Sequence, residues 1–215
     1  MRYWLLFLFL LCLHTGETLA SESYQDVLTA IEKDRIALKK KKVSIDSCKR
    51  YFMDRFEKAV FPHWVGTKWD YNGHTNHPGK DQLIACGYFV STTLKHMGFE
   101  WNRYDLAKMY SKKIVEETCS AIKHYTEKKE ALSDLLSQED NLYIVGLDMH
   151  VGFLLKRAQT VYFIHSNYYD LEGPVKEIAK SSMAFGDSGN FYIGTFLNPE
   201  NIQKWLNKTP FVFEK

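Results

Sequence analysis

The run His150-Val151-Gly152-Phe153-Leu154-Leu155 is followed, after a few turn residues, by Thr160-Val161-Tyr162-Phe163-Ile164-His165-Ser166-Asn167. Both runs are rich in β-branched and aromatic residues and too short for helices, so the reading is two neighbouring strands. Residues 142–147 before them and 191–196 after them have the same character, and residues 211–213 read as a last edge strand. Upstream the apolar spacing turns helical. Residues 22–42 carry Val27, Ile31, Ile36 and Ala37 on one stripe. A second helix, capped by Asp46 or Ser47, runs through about Val60 with Phe52, Phe56 and Val60 four residues apart. A third begins near Leu83 and buries Phe89, Val90, Thr93, Leu94 and Met97 before Gly98 ends it. Further helices cover about 103–123 and 127–138. Helices first and antiparallel strands second predict an α+β fold.

The chain has 215 residues, 45% hydrophobic and 15% aromatic, enough for one compact core and too few for two large ones. A net charge of +2 supplies no field that would argue for nucleic acid, and the lysines at 39–42 read as a solvated helix end. Arg2, the apolar run 4–13 and the triplet Thr18-Leu19-Ala20 have the form of a secretory signal peptide over residues 1–20. The apolar run is too short to span a bilayer, so a secreted or periplasmic protein with no stable membrane insertion is expected. Residues 21–45 then form an N-terminal helical arm and 46–215 the remaining domain. Past the leader stand Cys48, Cys86 and Cys119. An odd count in an exported chain suggests one pair and one free thiol, with three pairings open. Cys48 and Cys119 are expected either as a disulfide or as two buried thiols.

Residues 62–82 hold Pro62, Gly66, Gly73, Pro78 and Gly79, a loop-rich stretch. Cys86 follows it at the expected start of a helix, where unpaired N–H groups and the positive dipole end stabilise a thiolate. Gly87 next to it leaves room for a substrate backbone. The bland alternative is a structural cysteine. His150 opens an apolar strand, and the next strand ends at His165 and Asn167. Strand register decides whether these groups meet. A three-residue turn at residues 157–159 would put the two histidines on opposite faces. An even-length turn or a bulge is required: one phase of it pairs His150 with His165 directly, with Cβ atoms within about 5 Å, and another, a four-residue turn at residues 157–160, sets Asn167 opposite His150.

Three blocks in order resemble the NlpC/P60 peptidases of bacterial cell-wall turnover, a branch of the papain-like superfamily. Gly66-Thr67-Lys68-Trp69-Asp70-Tyr71-Asn72-Gly73 is similar to that family's entry loop. Ile84-Ala85-Cys86-Gly87-Tyr88-Phe89-Val90 resembles its nucleophile block, and His150-Val151-Gly152-Phe153 with Phe163-Ile164-His165-Ser166 its two histidine strands. The resemblance covers about residues 60–180. It implies a papain-like fold in which the nucleophile helix packs on the antiparallel sheet. It also implies a Cys86-His150-His165 triad that cleaves an amide through a thioester, with Asn167 as the alternative third member. The oxyanion would be met by the Cys86 N–H and by a donor from the entry loop, Trp69 or Tyr71. The implied substrate is a peptidoglycan-type peptide and no cofactor is required. The family's Asp before the nucleophile is Ala85 here and its following Ser is Gly87, so the contacts that hold a murein stem peptide are changed.

Other readings stand beside this one. His63, His74, His77 and Cys86 are zinc-type donors, though at spacings that match no zinc motif, so no metal is expected. A cell-wall binding module with a degenerate site, or acyl transfer to an amine, would carry the same fold. Asp148 reads as an exposed turn residue or as a group tuning His150.

Overall fold

In the computed structural model the described residues are 22–213, so the leader read at 1–20 lies outside them. The helical half begins with α1 (Tyr24–Lys40), capped by Ser23, whose Val27 and Ile31 are 1% exposed. The arm therefore packs into the main core. Arg35 fixes it further by donating to the Leu206 carbonyl at 2.7 Å. The helix α2 (Ile45–Arg55) is capped by Ser44, a few residues before Asp46 and Ser47. A single π-helical turn (Phe56–Val60) and the short α3 (Phe61–Trp64) extend it. Pro62 lacks an N–H and its ring crowds the carbonyl four residues back, which a widened turn relieves.

The helix α4 (Cys86–His96) starts at Cys86 itself, and the residues before it belong to the loop. The stretch expected as one helix over 103–123 is three elements: α5 (Arg103–Ala107), α6 (Ser111–Thr118) and the strand β1 (Ser120–Tyr125). Helical spacing is lost after Thr118, and β1 satisfies its backbone against another strand. Next come α7 (Lys128–Ser137), β2 (Asn141–Gly146), β3 (Val151–Arg157) and β4 (Thr160–Asn167). The chain then runs through β5 (Gly173–Ile178), the four-residue α8 (Met183–Gly186), β6 (Phe191–Thr195) and α9 (Pro199–Asn207). Sequence reading passed over β5 because Pro174 interrupts it, yet β5 is an edge strand, where proline is tolerated. It also passed over α9, although Asn198 caps it and Pro199 opens it. Residues 211–213 form no strand; Phe211 and Phe213 pack on Trp101 instead.

The strands make one six-stranded antiparallel sheet in the order β1-β6-β2-β3-β4-β5, so the fold is α+β. Alternation splits its side chains between two apolar clusters. Val151, Phe153, Leu155 and Ile164 join the larger cluster under α1, α2, α4 and α9. Leu154, Phe163 and Ile193 face the other way, toward α7 and Phe185. Phe153 ties the helical layer to the sheet: its ring lies 4.8 Å from Phe56 and 6.0 Å from Phe89. Glu57 adds a polar tie, accepting from Arg157 on β3 at 3.1 Å and from Lys176 on β5. Among the described residues no helix is long and apolar enough to cross a membrane.

Phe153→Ala would empty the contact between α4, the π turn and β3. It should destabilise the protein by about 3–5 kcal/mol, as large-to-small changes at fully buried aromatics do, measured by urea unfolding.

Candidate active site

The β3–β4 hairpin turns on Ala158 and Gln159, with Arg157 paired to Thr160, so the turn has the even length that the histidines require. Phe153 pairs with Ile164, which carried forward sets Gly152 opposite His165 and His150 opposite Asn167. His150 and His165 thus share a face on a diagonal, with Gly152 between them. A Cβ on Gly152 would lie 2.8 Å from the His165 Cβ and 2.6 Å from the Phe163 ring. With that space open, His150 Nε2 comes within 2.8 Å of His165 Nδ1. The Phe163 ring stacks on His165 at 4.0 Å and holds its plane. Beyond it, His165 Nε2 meets Glu177 Oε1 of β5 at 2.9 Å.

The proton positions follow from chemistry. The His165 N–H first, and the Ser182 hydroxyl after burial is counted, hold the Glu177 carboxyl below the usual range, so it is an acceptor only. His165 must donate from Nε2, which makes its Nδ1 an acceptor. His150 must then donate from Nε2, leaving its own Nδ1 with the lone pair. Burial pushes His150 well below the ordinary histidine range, with His165 adding to the effect. Burial also lowers His165, against the pull of Glu177. Both rings are neutral near pH 7.

Cys86 lies on the helical side of the sheet, packed against the larger apolar cluster. It is the first residue of α4, after Ala85, which supplies no side-chain cap, so first-turn N–H groups are free. Burial raises the thiol above its ordinary range, opposed by the backbone N–H groups of Val151, Gly87 and Cys86. The Val151 amide places the sulfur one residue from His150. The entry loop runs beside the same segment: Ile84 N–H donates to Lys68 O at 2.9 Å and Ala85 N–H to Gly73 O at 2.8 Å. Gly73 allows this approach, since a Cβ there would lie 2.5 Å from the Ile84 nitrogen.

Aromatic residues close the site. Tyr168 lies edge-on to His150 at 5.2 Å and to Trp69 at 6.3 Å, and burial raises its phenol, with Asp187 and then Cys86 adding to the effect. The Trp69 indole Nε1 is buried and has no hydrogen-bond partner. Such an orphan donor costs about 1–3 kcal/mol and calls for an explanation.

Other expected residues are placed differently. Asn167 donates to Glu172 at 3.2 Å and accepts from the Tyr169 N–H, so its side chain is engaged there, and the ring that meets His150 is His165. Tyr71 is 79% exposed, away from this buried cluster. Gly87 makes room for α5 rather than for a ligand, since its Cβ would fall 2.4 Å from the Ala107 carbonyl oxygen. Cys48 and Cys119 are free thiols, both raised by burial, Cys119 to about 12. The disulfide expectation gives way to the buried-thiol one. His63 packs at 5.2 Å from Tyr24 and His74 bonds Asn72 O. Among the described residues no three His, Cys, Asp or Glu side chains are grouped to hold a metal. Asp148 pins the turn before His150 by accepting from the Gly189 N–H and Asn190 Nδ2. Glu177 was missed by sequence reading; its signal was cryptic, since only register brings it to His165.

No family model matches this chain, and no curated protein and no solved structure matches it either.

Two outcomes are expected. Gly152→Ala should separate the histidine rings, read by loss of the His150–His165 hydrogen bond in ring-nitrogen NMR of protein that still unfolds cooperatively. Stability should fall as pH drops below about 6.5, because the unfolded chain binds protons there that buried neutral His150 and His165 refuse. His96, lowered to about 4 chiefly by burial, contributes in the same direction. His150→Gln should therefore flatten the fall without removing it, in thermal scans from pH 7.5 to 5.

Proposed function

We propose that this protein is a cysteine hydrolase that cleaves an amide bond, with Cys86 as nucleophile and His150 as general base. The observation that carries the reading is the hydrogen-bonded chain from Glu177 through His165 to His150, whose next residue, Val151, offers its backbone N–H to the Cys86 sulfur at the uncapped start of α4. Three titratable groups in this order give His150, the last ring of the chain, one defined tautomer and leave its lone pair on Nδ1, which is what proton transfer from a thiol needs. A binding module has no use for that arrangement. The raised thiol favours an inert site at rest, but a general-base route needs only transient deprotonation, as attack begins.

The reaction then runs as follows. Cys86 Sγ bonds to the carbonyl carbon while its proton passes to His150 Nδ1. The oxyanion accepts from the Cys86 N–H at the start of α4 and from the orphan Trp69 indole N–H, whose unpaired state at rest is what such a donor requires. The C–N bond breaks as His150 returns the proton to the leaving amine. Water, giving its proton to His150, then cleaves the thioester, and the thiol is restored. His165 holds His150 in place throughout. An amine in place of water would give acyl transfer.

The leading substrate is a peptidoglycan-type peptide, on the strength of the NlpC/P60 resemblance in the entry loop, nucleophile block and histidine strands. A papain-like arrangement agrees with the packing of α4 on β3 and β4. With Cys48, Cys86 and Cys119 all free thiols, action outside the cytoplasm rests on the leader-like residues 1–20.

The test pairs the mature chain with Cys86→Ala on purified peptidoglycan fragments, with products followed by mass spectrometry. Expected are new amine and carboxylate termini from the native chain, at least about 10²-fold fewer from the variant, and slow alkylation of Cys86 at pH 7 that accelerates toward pH 9. Equal product from both chains would remove Cys86 from the chemistry.

A further inference from the structure

Glu177 lies on the edge strand β5, opposite Phe163 in register and on the face that carries His165. Its carboxylate reaches a ring that is 0% exposed and whose other nitrogen is already engaged with His150. A buried ring N–H gains stability from any acceptor, but a carboxylate can only accept, whereas a hydroxyl could also donate. What the carboxylate supplies is direction. An imidazole pair with no third partner can hold its shared proton either way round, and the two arrangements differ in which nitrogen of His150 is left basic. An acceptor fixed at His165 Nε2 removes the choice.

We infer that Glu177 is a positioning residue that sets the tautomers of His165 and, through it, His150, so that the lone pair of His150 lies on Nδ1. The inference rests on the hydrolase reading for its catalytic consequence, but the tautomer assignment stands apart from any turnover. Glu177 touches neither Cys86 nor substrate. The groups facing His165 are Glu177, His150 and, more distantly, Glu172. Ser182 helps to hold the carboxylate in position.

The experiment is ring-nitrogen NMR on the full chain labelled with ¹⁵N-histidine, comparing wild type with Glu177→Leu, Glu177→Gln and Glu177→Ala, the last only shortening a half-exposed side chain should Leu fail to fold. In wild type both His150 and His165 should carry the proton on Nε2 and none on Nδ1. In Glu177→Leu and Glu177→Ala both rings should move to mixed tautomers. Glu177→Gln, whose amide oxygen still accepts, should keep the wild-type pattern. In turnover, Leu and Ala should lower kcat by about 10- to 100-fold with KM nearly unchanged, and Gln should recover most of it. Wild-type tautomers retained in folded Glu177→Leu or Glu177→Ala would overturn the inference, whatever the turnover. Tautomers released as expected, in a chain that hydrolyses nothing, would uphold Glu177 while removing the hydrolase reading.

Discussion

The contact on which the site depends is the 2.8 Å hydrogen bond between His150 and His165, and it exists because residue 152 has no side chain. Direct cross-strand pairing would have set His150 against Asn167, which is turned away to Glu172. The diagonal partner stands about 7–8 Å away, which rings can bridge when nothing fills the space between them. Removing the intervening Cβ lets both rings lean into the gap, and Phe163 stacked on His165 keeps them there. Chemistry on the β3–β4 hairpin is thus set by one missing carbon.

The rest of the fold supplies the second component. The helix α4 must bring its first residue to the mouth of β3, and it is held by Phe89 against Phe153 on one flank and by Gly87 against α5 on another. The entry loop must stay close enough for Trp69 and Tyr168 to wall the cluster. Gly73 against Ile84, and Gly173 against the Thr67 carbonyl, where a Cβ would lie only 1.8 Å away, set that distance. Glycine recurs wherever the site needs backbone closer than a side chain allows. At Gly73 that is a packing demand alone, while at Gly173 a φ of 85° also calls for glycine.

Much of this was legible in the sequence. Apolar spacing gave α1, α2 and α4, and the three central strands stand within a residue or two of their expected bounds. The even-length turn followed from requiring two histidines on one face. Illegible parts share a physical cause: they depend on pairing distant in sequence. Residues 120–125 look helical in isolation and become a strand only because β6 offers hydrogen bonds. Pro174 hides β5 until its place at the sheet edge is known, and with β5 hidden Glu177 has no neighbour. Asn167 is engaged away from His150 for a local reason, since its side chain closes its own turn through the Tyr169 N–H. Ser44, Asn198 and Pro199 carried ordinary capping signals that were readable throughout.

The central claim is that a thiol, a directed imidazole and an orphan indole converge on one reacting carbonyl. The most direct measurement is a crystal structure of the chain after reaction with a peptide aldehyde, which a thiol captures as a hemithioacetal resembling the tetrahedral intermediate. The account requires the adduct on Cys86, its oxygen within hydrogen-bond distance of Trp69 Nε1 and the Cys86 N–H, and His150 Nδ1 turned toward the sulfur. An adduct on Cys48 or Cys119, or one on Cys86 whose oxygen points away while the indole stays unpaired, would contradict it.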